Sequence, residues 1–167
     1  MLDDPFDLEI DDCVAESDST KRASANRLAK PRLRETTIEI DVPFHDVDAL
    51  KIVWHGHYYK YYEIARTELM RACKLDIPDV IDLGNRMLVI ESHSRYISPL
   101  RYGDRARVTA WLEDVVHRIH VRYEIQNLTT GRRASRGHTM LVATNREGTM
   151  LHRTPEPLQK RLLGIDD

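Results

Sequence analysis

The chain contains 167 residues, of which 41% are hydrophobic, and its 25 Lys and Arg side chains against 27 Asp and Glu give a formal net charge of −2. This length predicts a single domain with its own core, and the near balance of charge excludes a global attraction to nucleic acid or to anionic membranes. No apolar run approaches the roughly 20 residues that cross a bilayer, so we expect neither a membrane span nor a secretory signal.

The first 34 residues differ from the rest of the chain in composition. Residues 1–17 carry seven acidic side chains and no basic one, whereas residues 18–34 carry six basic side chains and one acidic. Such blocks without apolar periodicity predict a disordered tail, with a segment that docks onto its own domain or onto a partner as the alternative. We therefore expect one folded domain over residues 35–167. Cys13 falls in the tail and Cys73 in the domain, which indicates reduced thiols and a cytoplasmic protein.

Alternating and periodic apolar residues predict the first elements of the domain. Ile38, Ile40 and Val42 alternate with acidic residues, which indicates a first strand. After a loop over residues 44–54, apolar side chains recur at spacings of four, three, four and three residues. That spacing predicts an amphipathic helix, which ends no later than Pro78. Its apolar stripe consists of Tyr58, Tyr62, Ala65, Leu69 and Ala72.

The remainder of the chain has the pattern of β-structure. Turn residues, among them Gly103 and Gly131, separate runs that are rich in alternating apolar side chains. One helix can cover one face of an antiparallel sheet, so this order predicts an α+β domain. The exposed edges of such a sheet make a symmetric dimer the default expectation. The four further strands are expected over residues 86–98, 106–112, 118–126 and 133–145, and a short last helix over residues 155–163.

Carboxylates lie directly before the long helix and on it. A carboxylate near a helix N-terminus can attack a substrate or activate water, while the free N–H groups of the first turn receive the negative charge that develops on a substrate oxygen. Asp48 can play this part, or it can cap a turn, and we expect Asp46 to fix the loop through backbone N–H groups. Glu63 is the rival acid. Its spacing to Arg66 predicts a surface ion pair, with positioning of substrate or water as the alternative.

Two stretches carry a resemblance to a known family. The second is Arg95-Tyr96-Ile97-Ser98-Pro99-Leu100-Arg101-Tyr102-Gly103-Asp104, and the first joins Asp46-Val47-Asp48-Ala49, Ile52-Val53-Trp54-His55, Tyr58 and Glu63-Ile64-Ala65-Arg66. In their order and spacing they resemble the 4-hydroxybenzoyl-CoA thioesterase family of acyl-CoA thioesterases, which has the hotdog fold. The similarity in pattern runs from about Ile38 to Leu163. The chain departs from many relatives at Leu50-Lys51, where they carry a glycine that gives the backbone more freedom.

The resemblance implies a fold and a set of roles. It implies a five-stranded antiparallel sheet wrapped around one long helix, with subunits paired edge to edge and active sites at their interface. It implies that Asp48 is the catalytic carboxylate, as nucleophile or as general base, and that backbone N–H groups at His55 and Gly56 polarise the thioester carbonyl. The substrate would be an acyl-CoA or an acyl-carrier protein, and no cofactor is required. The candidates for contact with the substrate are Trp54, Tyr58 and Glu63.

Arginines are concentrated in the second half of the chain. Residues 86–136 contain ten arginines against five acidic residues, and forked guanidinium groups suit the phosphates of coenzyme A. Solvated sheet faces with scattered ion pairs are the alternative. Aromatic residues are not interleaved with these arginines, which disfavours RNA binding. We expect no metal site, because His55 and His57 would point about 200° apart on a helix. The candidates for phosphate binding lie near turns and are Arg101, Arg105, Arg132 and Arg133.

Two other functions remain compatible with the sequence. A hotdog hydratase or dehydratase would use an acid with a histidine, but hydratases space them five residues apart, whereas Asp48 and His55 are seven apart. No proline-rich catalytic strand of the dehydratase kind is present. The second alternative is a non-catalytic acyl-binding or scaffolding module. The acyl group, the choice between CoA and carrier protein, and the choice between dimer and tetramer stay open.

Overall fold

The computed structural model describes residues 32–165. The predicted tail therefore lies outside the described residues as far as residue 31. Its last part runs beside the sheet, where the Leu33 N–H donates to the Leu112 carbonyl and the Leu112 N–H donates to the Arg34 carbonyl, each at 3.0 Å. The described elements are β1 (Glu35–Asp41), a 3₁₀ turn (Phe44–Asp46), α1 (His57–Ala72), α2 (Ile77–Asp82), β2 (Arg86–Tyr96), β3 (Arg105–Asp114), β4 (Ile119–Asn127), β5 (Arg133–Thr144) and α3 (Glu156–Leu163).

The strands form one five-stranded antiparallel sheet in the order β1-β3-β4-β5-β2. Consecutive hairpins place β3, β4 and β5 side by side in the middle, and the two strands that flank the helices along the chain take the two edges. The predicted antiparallel sheet is confirmed, and the boundaries of its strands agree with the predicted ones to within three residues.

The core lies between α1 and one face of the sheet. Four residues of the predicted stripe point inward: Tyr58, Tyr62, Ala65 and Leu69 are buried, and the Tyr62 ring stacks on Tyr123 at 4.5 Å between centroids. The fifth, Ala72, is the last residue of α1 and is exposed. A Cβ at Gly137 of β5 would fall 2.6 Å from the Tyr62 ring, so glycine is what lets the helix approach the sheet there. Each fully buried aliphatic side chain contributes about 1.5–3 kcal/mol through its removal from water. In β3 and β4 the inward residues are Ala106, Val108, Ala110, Leu112, Ile119, Val121, Tyr123 and Ile125.

The short helix α2 was not among the predicted elements. Its start is fixed by a capping box, in which the Ile77 N–H donates to Asp76 Oδ1 (2.8 Å) and the Asp76 N–H donates to Asp79 Oδ2 (2.9 Å). Pro78 lies in the first turn, where its missing N–H costs nothing. The proline that limits α1 thus also helps to begin α2. Among the described residues, no helix combines the length and the apolar character needed to span a membrane.

The edge strand β2 differs from the middle of the sheet in its exposure. Leu88, Val89 and Ile90 are consecutive and are 49%, 47% and 50% exposed. Successive side chains of a strand point to opposite faces, so β2 is exposed on both faces. One side of β2 pairs with β5, and no strand in residues 32–165 pairs with its other side. An apolar edge of this length is suited to pairing with another chain.

Candidate active site

The two acids that precede the helix lie on a small hairpin, residues 46–54. The Trp54 N–H donates to the Asp46 carbonyl (3.0 Å), and the Asp48 N–H donates to the Ile52 carbonyl (2.9 Å). Val47 and Val53 form an antiparallel bridge between these two bonds. The hairpin therefore carries Asp48 at its tip, and its second leg leads directly into α1.

Asp48 is held at this tip by one of its two carboxylate oxygens. Oδ1 accepts the Leu50 N–H at 2.8 Å, and the Asp48 carbonyl accepts the Lys51 N–H at 3.0 Å. This is the turn-capping role that the sequence allowed. Within residues 32–165, the second oxygen Oδ2 accepts no hydrogen bond, and the side chain is half-buried. The turn thus orients the carboxylate and leaves one oxygen for a reaction.

Lys51 adopts a left-handed backbone conformation, with φ at 60°. Only glycine enters this region without steric cost, so relatives with glycine here have the residue that the turn favours. The sequence indicated a loss of backbone freedom at this position. The structure shows that the lysine nevertheless takes the conformation that a glycine would take, at an expected cost of about 1 kcal/mol.

Asp46 is fully buried and has charged and neutral partners. Lys60 Nζ lies 2.5 and 2.6 Å from its two carboxylate oxygens, and the Tyr61 hydroxyl donates to Oδ2 at 2.7 Å. Burial raises the pKa of Asp46, but these hydrogen bonds outweigh it, so that the net pKa lies below its ordinary value. The expected structural part of Asp46 is present, but the partners of its side chain are Lys60 and Tyr61 rather than backbone N–H groups, because the hairpin packs onto α1.

The start of α1 offers free backbone N–H groups. The His57 N–H donates to the Trp54 carbonyl at 2.9 Å, whereas those of His55 and Gly56 find no acceptor in the described part of the chain. Gly56 already has helical angles, and a Cβ there would fall 2.0 Å from the indole of Trp54. Glycine therefore lets the indole lie directly against the backbone, and any other residue would displace the indole, which the sequence did not reveal.

Aromatic side chains surround this helix start. Trp54 is 46% exposed, and its indole lies against the His55 ring at 4.9 Å between centroids. Tyr58, a predicted substrate contact, lies instead in the core at 3% exposure, and its hydroxyl accepts the Leu100 N–H at 3.3 Å. Tyr96 was not predicted as a site residue. It ends β2, packs edge-on against Tyr58 at 4.9 Å and donates its hydroxyl to the His55 carbonyl at 2.9 Å.

Glu63 lies on a different part of α1 from the hairpin. Its side chain is 70% exposed, and Oε1 is 3.8 Å from Arg66 Nη2, the ion pair that the spacing predicted. Both side chains border a cavity of about 420 Å³ between α1, α2 and β2. The remaining lining residues are mostly apolar and are Thr67, Met70, Leu75, Asp76, Ile77, Val80, Ile81, Arg86, Met87, Leu88 and Leu141.

The four arginines predicted to bind phosphate lie around two neighbouring turns. The turns are joined by Asn127, which donates to Asp104 Oδ2 at 2.7 Å. The hairpin is attached at the same end of the sheet, since the Val53 N–H donates to the Leu100 carbonyl at 2.8 Å. Two of the four are already paired, Arg105 with Glu39 at 2.7 Å and Arg133 with Glu124 at 2.8 Å; the other two are Arg101 and Arg132.

Comparisons with known proteins agree with this architecture. The chain matches the family model of the thioesterase-like superfamily over residues 42–162. It is 32% identical over 133 residues to a Synechocystis protein provisionally named as an esterase, which covers 77% of this chain and 78% of the relative. It is 33% identical over 76 residues, 46% of this chain and 55% of the relative, to a Bacillus subtilis protein provisionally named as the acyl-CoA thioesterase YneP.

A solved structure extends the comparison to the fold. The 1,4-dihydroxy-2-naphthoyl-CoA thioesterase from Synechocystis matches 80% of this chain and 98% of its own, with a TM-score of 0.66 and 20% sequence identity. The hotdog architecture implied by the sequence motifs is therefore shared with a solved thioesterase.

Proposed function

We propose that Asp48 supplies the carboxylate that begins hydrolysis in this chain, which belongs to the thioesterase-like superfamily and is an acyl-CoA thioesterase. The observation that carries this assignment is the hairpin itself. It fixes one oxygen of Asp48 on the Leu50 N–H and leaves the other without a partner in the described chain. Asp46, two residues away, has no such oxygen to offer, because Lys60 and Tyr61 occupy its carboxylate.

The second leg of the hairpin leads to backbone N–H donors that could bind the oxygen of the thioester carbonyl. Asp48 pairs across from Ile52, and two residues further along that leg comes Trp54, followed by the free amides of His55 and Gly56. From Ile52 to His55 is three residues, which span about 10 Å of extended chain. A thioester carbonyl placed between Asp48 and these amides would have the carboxylate on the side of its carbon and the N–H donors on the side of its oxygen. N–H donors in that position stabilise the negative charge that develops on the oxygen.

Two routes of hydrolysis fit this placement. In the first, Asp48 Oδ2 attacks the carbonyl carbon, the thiolate of CoA leaves, and water then hydrolyses the mixed anhydride to restore the carboxylate. In the second, Asp48 takes a proton from water, the resulting hydroxide attacks, and the proton passes to the departing thiolate. Both routes end in a free acid and a thiol. Single-turnover hydrolysis in ¹⁸O water establishes the first route if label enters the Asp48 side chain, because attack of water on the Asp48 carbonyl carbon of the anhydride is the only step of either route that places it there.

We infer a symmetric dimer through β2. Antiparallel pairing of two β2 edges, centred near Glu91, would place the partner's Arg86 end beside the Tyr96 end of the first subunit. Tyr96 contacts the helix start at His55, so the partner's cavity beside Glu63 would open next to the catalytic hairpin. The half-exposed apolar run of β2 favours this pairing. Light scattering is expected to give at least twice the 19.5 kDa of one chain, and a monomer would contradict it.

Hydrolysis of CoA thioesters is favoured over the alternatives by the relatives reported above, whose names describe esterases and thioesterases. The test is release of free thiol from a panel of acyl-CoA and acyl-carrier-protein thioesters, with hydration of an enoyl-CoA followed in parallel. We expect thiol release from acyl-CoA without added metal or cofactor. Hydration without thiol release would replace this function with that of a hydratase. Binding without either reaction would replace it with that of an acyl-binding module.

A further inference from the structure

The cavity between α1, α2 and β2 combines apolar walls with one desolvated cation. Its volume of about 420 Å³ lies within the range of small-molecule sites. At about 30 Å³ for a water-sized group, it has room for roughly ten to fourteen non-hydrogen atoms. Met70, Val80, Met87 and Leu141 provide the apolar surface, as expected for a pocket that receives an acyl group.

Arg66 projects from α1 into the wall of this cavity, and its side chain is 16% exposed. The carboxylate that pairs with it in the described chain belongs to Glu63, at 3.8 Å, which is longer than a hydrogen bond. Glu63 is itself 70% exposed, so water competes for it and the pair contributes little. A guanidinium removed from water to this extent is stabilised by an anion that can approach it closely.

The other charged groups at the cavity do not offer that anion. Asp76 already pairs with Arg71 at 2.9 Å and caps α2, and Arg86 on β2 adds a second positive charge at the border. On the sheet side, burial raises the pKa of Tyr123 and the nearby Arg66 acts in the opposite direction, and the buried Tyr123 hydroxyl has no hydrogen-bond partner among the described residues. The cavity is therefore bordered by two arginines and two acids, and of the two acids one is tied to Arg71 and the other is largely in water.

We propose that Arg66 is a specificity residue that selects acyl groups carrying a carboxylate at the end remote from the thioester. This inference rests on the proposed function, because the acyl group must reach the cavity from the partner's hairpin. A carboxylate at the far end forms two parallel hydrogen bonds with the guanidinium and displaces the loose contact with Glu63. An acyl group with a methyl end instead buries Arg66 further without a partner, at a free-energy cost.

The experiment compares matched pairs of CoA thioesters that differ only at the far end. Adipoyl-CoA is compared with hexanoyl-CoA, and 4-carboxybenzoyl-CoA with 4-methylbenzoyl-CoA, by kcat/KM from free-thiol release. In at least one pair we expect the wild-type protein to prefer the carboxylated member by about tenfold or more. In Arg66→Met that preference should be lost, and in Arg66→Lys it should be intermediate, because the ammonium keeps the charge but not the fork. Arg107→Met, which removes an exposed arginine on β3, is the control and should keep the wild-type preference.

Each outcome of this experiment has a distinct meaning. A wild-type preference for the neutral member in both pairs, or an unchanged preference in Arg66→Met, would overturn the assignment of Arg66 while leaving the thioesterase intact. Absence of hydrolysis for every thioester would overturn the proposed function instead. If Arg66→Met does not fold, Glu63→Gln tests the same idea, because loss of the competing carboxylate should increase the preference for carboxylated acyl groups. A decrease would contradict the proposal.

Discussion

The two acids of the hairpin have the same functional group and opposite surroundings. At the base, Asp46 is fully buried, and Lys60 and Tyr61 satisfy both of its oxygens. At the tip, Asp48 is half-buried, and one oxygen is tied to the Leu50 N–H while the other has no partner in the described residues. A fully satisfied carboxylate gives stability and little reactivity, whereas a partly satisfied one can hold its position and still react. This difference is why we propose a structural role for Asp46 at the base and the chemical role for Asp48 at the tip.

The largest effect is expected from Asp48→Asn. The amide cannot attack the thioester or accept a proton from water, so kcat/KM should fall by on the order of 10²–10⁴-fold. The Leu50 N–H retains an acceptor in the asparagine oxygen, so the free energy of unfolding should change little. Thiol release and urea unfolding of the same preparation measure both quantities. Near wild-type turnover in Asp48→Asn would contradict the proposed role of Asp48 as the catalytic carboxylate.

Asp46→Asn should act in the opposite way, mainly on stability. The variant removes the charge between Lys60 and Tyr61, and hydrogen bonds to charged groups contribute about 1.5–3 kcal/mol. Since the Lys60 side chain is 42% exposed and water can replace part of its bond, we expect a loss of about 2 kcal/mol. Urea unfolding measures it, with Asp41→Asn, at the exposed end of β1, as the control. An unchanged free energy of unfolding in Asp46→Asn would show that the contacts of Asp46 with Lys60 and Tyr61 do not stabilise the protein.

The same acid predicts a pH dependence of stability. The folded pKa of Asp46 is lowered, so its contribution is present above the unfolded pKa, near 4, and is lost as the pH falls through the folded value. The free energy of unfolding of the wild-type protein should therefore decrease below about pH 4. Asp46→Asn should show a smaller decrease over that window, and Asp41→Asn the wild-type one. If the free energy of unfolding fell equally with pH in wild type and Asp46→Asn, the pH dependence would not originate from Asp46.

The smallest effect concerns the strained turn. Lys51 and Lys74 both have positive φ, at 60° and 56°, so glycine at either place relieves a steric cost while it adds entropy to the unfolded chain. We expect each glycine variant to gain about 0.5–1 kcal/mol in the free energy of unfolding. Lys74→Gly, at the end of α1, is the matched control for turnover. A change in kcat confined to Lys51→Gly would show that the lysine conformation serves the tip, and equal kcat values would show that it does not.

The order of elements could be predicted because each strand carries its own pattern. Alternation in β4, from Ile119 to Ile125, is a local signal, and so is the four-three spacing of α1. The start of α2 also carries a local signal, because Asp76 and Asp79 form a capping box and Pro78 lies in the first turn. From the sequence alone, Pro78 indicated only the limit of the preceding helix. The predicted tail up to residue 31 stays a prediction, because it lies outside the described residues.

The site was less accessible from sequence because its partners are remote along the chain. The sequence singled out Asp46 and Asp48, but the contact between Asp46 and Lys60 joins residues fourteen positions apart and has no local signal. Nothing local marks Tyr96 as a neighbour of His55, forty-one residues earlier. Tyr58 was predicted both as core and as a substrate contact; it is buried, and its hydroxyl accepts the Leu100 N–H from forty-two positions away. Contacts of this kind depend on how the hairpin, the helix and the end of β2 meet.

Turnover per folded molecule, measured side by side for the two asparagine variants of the hairpin, tests the division between tip and base most directly. The folded fraction of each variant is taken from its unfolding curve, and the rate of thiol release is divided by it. We predict that the tip variant is well folded and slower by a factor of 10²–10⁴, while the base variant, once corrected for its folded fraction, stays within about tenfold of wild type. The reverse ranking would make the buried acid the reactive one and contradict the account.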